Sequence, residues 1–113
     1  MPGSSRHHWG TDVDLNSLEN AYFEEGLGAT VYAWLTKNAA AYGFVQVYGD
    51  QQNGRQGYRE EKWHWSYWPL AKDFLSCYLE NQENHDFDGF EGSEFSDSLG
   101  IVERYVAGID SLQ

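Results

Sequence analysis

The twelve residues SSRHHWGTDVDL, positions 4 to 15, bring two adjacent histidines and two aspartates close together. Imidazole nitrogens and carboxylate oxygens are the donors that hold a catalytic zinc, which takes three protein ligands and keeps one position open for water. Cys77 is the only cysteine. No thiolate cluster and no intramolecular disulfide can therefore form, and any metal must rest on His, Asp or Glu. The remaining histidines are His64 and His85, and His64 follows Glu61 by three positions in the aromatic stretch REEKWHWSYW, residues 59 to 68. His7, Asp14 and His64 would supply two imidazoles and one carboxylate. Glu61, beside a ligand but free of the ion, has the chemistry of a general acid/base. Spacing does not choose between His7 and His8. Gly10 permits the sharp turn that lets residues seven apart converge on one ion. Asp12, on the same face as Asp14, is either a partner that orients a ligand imidazole or a solvated acid. The plainer reading gives His7 and His8 to a frayed terminus, His64 to a hydrogen-bonded strand site, and Trp63, Trp65 and Trp68 to the core.

The elements that must position these groups follow from periodicity. Residues 12–15 alternate polar and apolar, as a short half-buried strand does. Residues 16–28 read as a loop with Tyr22 and Phe23 tucked inwards. The spacing predicts a helix over 29–42, with Val31, Trp34, Leu35, Ala39 and Tyr42 on its apolar side and Gly43 as its stop. FVQVY, 44–48, predicts a strand, and 49–57 a turn-rich loop. Residues 61–67 predict a second aromatic strand. Ideal pleating would set Glu61 with Trp63 and Trp65, and His64 opposite. For Glu61 and His64 to share a site, Glu61 must lie in the preceding loop or at a bulge. Pro69 opens a predicted helix to about Asn81, with Leu70, Phe74, Cys77 and Tyr78 inwards and Cys77 as a small core residue. A polar stretch, 82–95, is anchored by Phe87, Phe90 and Phe95. A last helix is predicted over 96–107, with Leu99, Val102, Tyr105 and Val106 on one side. Segregated strands and helices make this an α+β chain, a small antiparallel sheet packed against helices.

With 113 residues, 41% of them hydrophobic and 17% aromatic, the chain has the makings of one domain with a modest core. Its net charge of −11 argues against nucleic acid and against an anionic membrane surface as partners. No apolar run is long enough to span a bilayer.

The string SRHHWGTDVD, from Ser5 to Asp14, resembles the Ser-x-His-x-x-Gly-x-x-x-Asp motif of the D-alanyl-D-alanine carboxypeptidase family of the VanY type. EKWH, from Glu61 to His64, resembles that family's Glu-x-x-His motif, in the same order. Trp34-Leu35 followed by Tyr42-Gly43-Phe44 is similar to the family's helix-to-strand passage. GFEGSE, 89–94, and YVAGI, 105–109, resemble the tail of a subgroup, so the resemblance covers nearly the whole chain. It implies an α+β zinc-peptidase fold shared with the hedgehog signalling domain. It implies His7, Asp14 and His64 as zinc ligands, Glu61 as general acid/base and Ser5 as a substrate contact. It further implies removal of the terminal D-alanine from peptidoglycan stem peptides, in the periplasm or cell envelope. Two departures stand out. Position 12 is Asp where the commonest form of the motif has Ala, and family members carry a segment before the first motif that includes an arginine for the oxyanion. The expectation is therefore a single domain over 1–113, truncated at its N-terminus, that folds around zinc but is weak or inactive alone. A stem peptide ends in a carboxylate, and Arg55, Arg59 and Lys62, which flank Glu61, are the candidates to meet it, with solvated loop charges as the plainer reading of each. An endopeptidase and a zinc-bound non-catalytic domain of the same fold are the alternatives, and the oligomeric state is left open.

Overall fold

Three short strands, β1 (Asp12–Asp14), β2 (Phe44–Gln46) and β3 (His64–Tyr67), form an antiparallel sheet in the order β1-β3-β2 in the computed structural model, which describes residues 1–84 and 87–110. With α1 (Gly26–Asn38), α2 (Trp68–Glu80) and α3 (Ser96–Leu99) around it, the chain is α+β. His85 lies outside the described residues, as does part of the predicted polar stretch 82–95.

The register does most of the positioning. Asp12 faces Ser66, Val13 faces Trp65 and Asp14 faces His64. Since side chains alternate along a strand, Asp12, Asp14, His64 and Ser66 share one face, and Val13 and Trp65 share the other. The second face packs under α1. Tyr32 sets its ring edge-on to Trp65, with centroids 6.4 Å apart, and donates its hydroxyl to Gln46 Oε1 at 2.7 Å. Trp65 is 4% exposed. Truncating a buried tryptophan typically costs about 3–5 kcal/mol, so this contact is a main anchor of helix on sheet. Tyr48 packs on the first face, with its ring edge-on to His64, and it and Val47 tie on the C-terminal segment. Tyr48 donates to the Tyr105 carbonyl at 2.9 Å, and the Asp110 N–H donates to Val47 at 2.9 Å.

Several predicted elements shift. The first helix begins at Gly26 and gives way to a 3-10 turn, Ala39–Tyr42, that ends at Gly43 with φ +84°. A Cβ on Gly43 would stand 2.7 Å from the Tyr67 ring, so the close approach of helix end and β3 requires glycine there. Ala39 is buried, whereas Trp34 and Tyr42 are exposed and meet each other at 5.9 Å. The inner aromatic is Tyr32, which lies off the predicted stripe. Phe23 is buried and Tyr22 half-buried, as expected.

The predicted inward face of α2 is wrong. Leu70, Phe74 and Cys77 are exposed, and Ala71 is the buried residue. The helix leaves β3 with no loop between Tyr67 and Trp68, so the strand exit and Pro69 set its rotation. That rotation buries the small side chain of Ala71. Tyr78 is half-buried and donates to the Gly3 carbonyl at 3.0 Å. The predicted last helix is also interrupted. Gly100, at φ +60°, ends α3, and Ile101–Val106 continue as a π-type turn. Glycine reaches this left-handed conformation without steric cost. The break buries Ile101 and Val106 and leaves Leu99 exposed.

Candidate metal centre

The first motif folds into a turn and a strand. The Ser5 hydroxyl accepts from the His7 N–H at 3.3 Å and caps the 3-10 turn Arg6–Trp9. Gly10, at φ +72°, closes that turn with its N–H on the His7 carbonyl and sends the chain into β1. This is the sharp reversal expected at Gly10. It points His7 back along β1, where His7 Nδ1 lies 3.2 Å from the Asp12 carbonyl. A carbonyl can only accept, so Nδ1 is the donor in this contact. That Nε2 stands 3.3 Å from Asp14 Oδ1.

The second motif solves the pleating problem with a turn. β3 begins only at His64, so Glu61 and Trp63 precede the strand rather than alternate along it. The His64 N–H donates to the Glu61 carbonyl at 3.2 Å, and the Glu61 N–H to Tyr48 at 2.8 Å. This turn brings Glu61 Oε2 to 2.9 Å from His64 Nδ1. Trp63 falls on the site side and lines the cleft, while Trp65 goes to the core.

His7, Asp14 and His64 thereby converge, with one donor atom from each lying within 4.8 Å of the others. His8 is exposed and outside this group. Two imidazoles and one carboxylate suit zinc, and a tetrahedral ion with bonds of about 2.1 Å sets its donors about 3.4 Å apart. His7 Nε2 and Asp14 Oδ1, 3.3 Å apart, already have that spacing, and with the whole set within 4.8 Å a modest inward movement of the side chains would complete it.

Behind His64 lies a buried polar network. Asp12 Oδ2 accepts from His64 Nε2 at 2.7 Å and from Arg6 Nε at 3.1 Å. Asp12 Oδ1 accepts from Ser66 Oγ at 2.6 Å and Thr11 Oγ1 at 2.9 Å. Arg6 Nη2 also donates to Ser66 at 3.3 Å, and its guanidinium stacks 4.7 Å over Trp9. Arg6 Nη1 finds no hydrogen-bond partner among the described residues. Burial alone would raise the Asp12 pKa, but the His64 hydrogen bond and the Arg6 charge prevail and hold it at about 2. Burial likewise opposes charge on His64, yet Asp12 and Glu61 together raise its pKa to about 9. Tyr48, edge-on to His64 at 5.1 Å, has its hydroxyl pKa pushed up by burial.

The cleft over these groups, about 270 Å³, is also lined by Ser5, Tyr48 and Tyr58. A larger groove of about 460 Å³ adjoins it and shares Tyr58, away from the histidines. The cations expected to meet a substrate carboxylate are placed otherwise. The Arg55 side chain is 4% exposed and spent on Asp110 at 3.0 Å and on the carbonyls of Gly49, Tyr58 and Gly108. Lys62 pairs with Glu24 at 3.5 Å and sits over the Tyr32 ring. Arg59 is exposed and does not line the cleft. Arg6 does line it, with a side chain wholly withdrawn from solvent. Arg6 and Ser66 are the site residues that motif spacing missed. The signal for Arg6 was its pairing with the unusual Asp12 inside one motif, a cation and an extra acid six positions apart.

A family model described as VanY, D-alanyl-D-alanine carboxypeptidase, matches residues 1–70. The chain is 33% identical over 70 residues to a protein of Enterococcus faecalis (strain ATCC 700802 / V583) named D-alanyl-D-alanine carboxypeptidase, a span of 59% of this chain and 24% of the relative. It is 34% identical over 68 residues to YodJ of Bacillus subtilis (strain 168), whose name also carries the word carboxypeptidase, a span of 58% and 25%. The alignments thus cover about a quarter of the length of these curated relatives. No solved structure matches the chain.

Proposed function

The chain belongs to the VanY family of D-alanyl-D-alanine carboxypeptidases, and from that premise we propose that it is a zinc-dependent hydrolase that removes the terminal D-alanine from peptidoglycan stem peptides. The observation that carries this reading is the convergence of His7, Asp14 and His64, with Glu61 Oε2 2.9 Å from His64 Nδ1. His7 through Nε2, Asp14 through a carboxylate oxygen and His64 through Nδ1 would hold the ion. Zinc bound there supplies a Lewis acid that polarises the scissile carbonyl and lowers the pKa of water.

The chain's own residues do the rest. Glu61 receives the proton of the attacking water and delivers it to the leaving amine. Its turn, tied to Tyr48 through the backbone, holds it beside His64. Ser5, at the rim of the cleft, is the substrate contact that the family motif suggests, in addition to its capping role. Among the described residues, no exposed lysine or arginine lines the cleft. An anionic substrate therefore meets little compensating charge from these residues. A stem-peptide substrate would place the protein in the periplasm or cell envelope.

The test joins metal analysis to product release. Protein purified without added metal should contain zinc near one per chain. Free D-alanine released from a pentapeptide ending in D-Ala-D-Ala should fall about 10²–10⁴-fold in Glu61→Gln, with the zinc retained. Absence of zinc after incubation with the metal would overturn the reading, and release unaffected by Glu61→Gln would remove Glu61 from its role.

A further inference from the structure

In the candidate centre His7 Nε2 faces Asp14 Oδ1 and His64 Nδ1 faces Glu61 Oε2, while the other nitrogen of each ring ends on one and the same residue. His7 Nδ1 lies 3.2 Å from the Asp12 backbone carbonyl. His64 Nε2 lies 2.7 Å from the Asp12 carboxylate. We propose that Asp12, held in place by Arg6 and Ser66, is a positioning residue that presets the metal-facing nitrogens of both histidines. This inference rests on the metal reading of His7, Asp14 and His64 given above.

The argument is one of geometry. An imidazole that ligates through one nitrogen must carry its hydrogen on the other, and an acceptor fixed there selects the tautomer and the ring orientation. Asp12 provides two such acceptors, a main-chain oxygen for His7 and a side-chain oxygen for His64. Because Asp12 lies in β1, both acceptors move with the strand that also carries Asp14. All three ligands are thus referred to one short backbone segment.

The carboxylate itself has few ways to turn. Oδ2 is shared between His64 and the Arg6 Nε, and Oδ1 between Ser66 and Thr11. Four donors on two oxygens fill the lone-pair positions of a carboxylate. Arg6 and Asp12 side chains are both 0% exposed, so the pair is not a solvated surface bridge. Arg6 offsets the Asp12 charge, and without it a buried acid would stand uncompensated behind the metal ligands. This also accounts for the pairing of an arginine at position 6 with an aspartate at position 12 in one motif.

The experiment measures zinc affinity by competition with a chromophoric chelator for the native chain, Asp12→Ala and Asp12→Asn, with the visible spectrum of the cobalt(II) form recorded for each. Circular dichroism of the metal-free proteins identifies folded variants. Asp12→Ala should bind zinc about ten- to a hundredfold more weakly, the usual range for losing such a partner. Its cobalt spectrum should change in position or intensity. Asp12→Asn keeps an acceptor oxygen and should recover part of the affinity and most of the spectrum, a rescue that loss of packing alone would not produce. If Asp12→Ala does not fold, Asp12→Asn with native affinity and spectrum supports the inference, and a folded Asp12→Asn no tighter than a His64→Ala variant overturns it. Equal affinity and an unchanged spectrum in a folded Asp12→Ala would also overturn it while leaving the metal reading intact. A native chain that takes up no zinc at all would overturn both.

Discussion

Raising the pH of the metal-free protein should loosen it through His64. The folded imidazole, between Asp12 and Glu61, has its pKa raised to about 9 against an ordinary value of 6.5. The folded state therefore holds this proton more tightly than the unfolded chain. The stabilisation is fully present below pH 6.5 and is lost as the pH rises through 9. The gap, at about 1.4 kcal/mol per unit, is worth about 3 kcal/mol. In a domain of this length that corresponds to a fall in Tm of roughly 10 °C between pH 6.5 and 9.5. Thermal unfolding of chelator-treated protein, followed by circular dichroism at closely spaced pH values, would show it. Glu61→Gln removes one of the two carboxylates and should flatten the profile. Zinc should reverse the sign. Its ligand is the Nδ1 lone pair that the proton occupies, so stabilisation by the metal should grow as the pH rises. A metal-free Tm that does not change from pH 6.5 to 9.5, or a slope equally steep after His64→Gln, would refute the reasoning.

Three further outcomes follow from the same contacts. Arg55→Ala frees Asp110 and the carbonyls of Gly49, Tyr58 and Gly108 together, and should lower stability by about 3 kcal/mol, read as a reduced urea midpoint at unchanged slope. Gly54 and Gly57 share nearly the same positive φ, but a Cβ on Gly54 meets nothing within 4 Å and one on Gly57 stands 1.8 Å from the Arg104 carbonyl. Gly54→Ala should thus cost about 1–2 kcal/mol of conformational strain, and Gly57→Ala clearly more, in the same urea titration. Cys77 is exposed, so the folded protein should react with one equivalent of an aromatic disulfide reagent without losing zinc; labelling only in denaturant would contradict its placement.

What could be seen in the chain before its structure was the chemistry and the strands that carry it. Asp12, Asp14 and His64 were placed by period-two alternation and two short motifs, whereas alternation set Glu61 on the opposite face and only a turn before β3 brings it to His64. Glycine signals also worked at Gly10 and Gly43, where φ is positive and the chain must reverse. The helix faces were less legible. Leu70, Phe74 and Cys77 form a convincing apolar stripe, but rotation of α2 is inherited from the exit of β3, a tertiary constraint that periodicity does not contain. Trp34 and Tyr42 failed for a related reason, since Tyr32 met Trp65 first. Gly100 was a readable break within the last predicted helix, and its positive φ divides that segment. Arg6 offered no role in the sequence because a basic residue near a turn is normally solvated. Its burial depends on Asp12 and Ser66, the latter sixty positions away.

The pairing of β1 with β3 has a consequence for how the site comes into being. β1 is three residues long and pairs with β3 alone. A slip of one residue would exchange its faces, carry both aspartates away from His64 and present Val13 in their stead. A misaligned molecule would then lack the carboxylate of the three-residue cluster. Ion uptake by a refolding population would count the chains whose strands have found their correct partners, and a tightly bound ion would in turn latch that alignment shut.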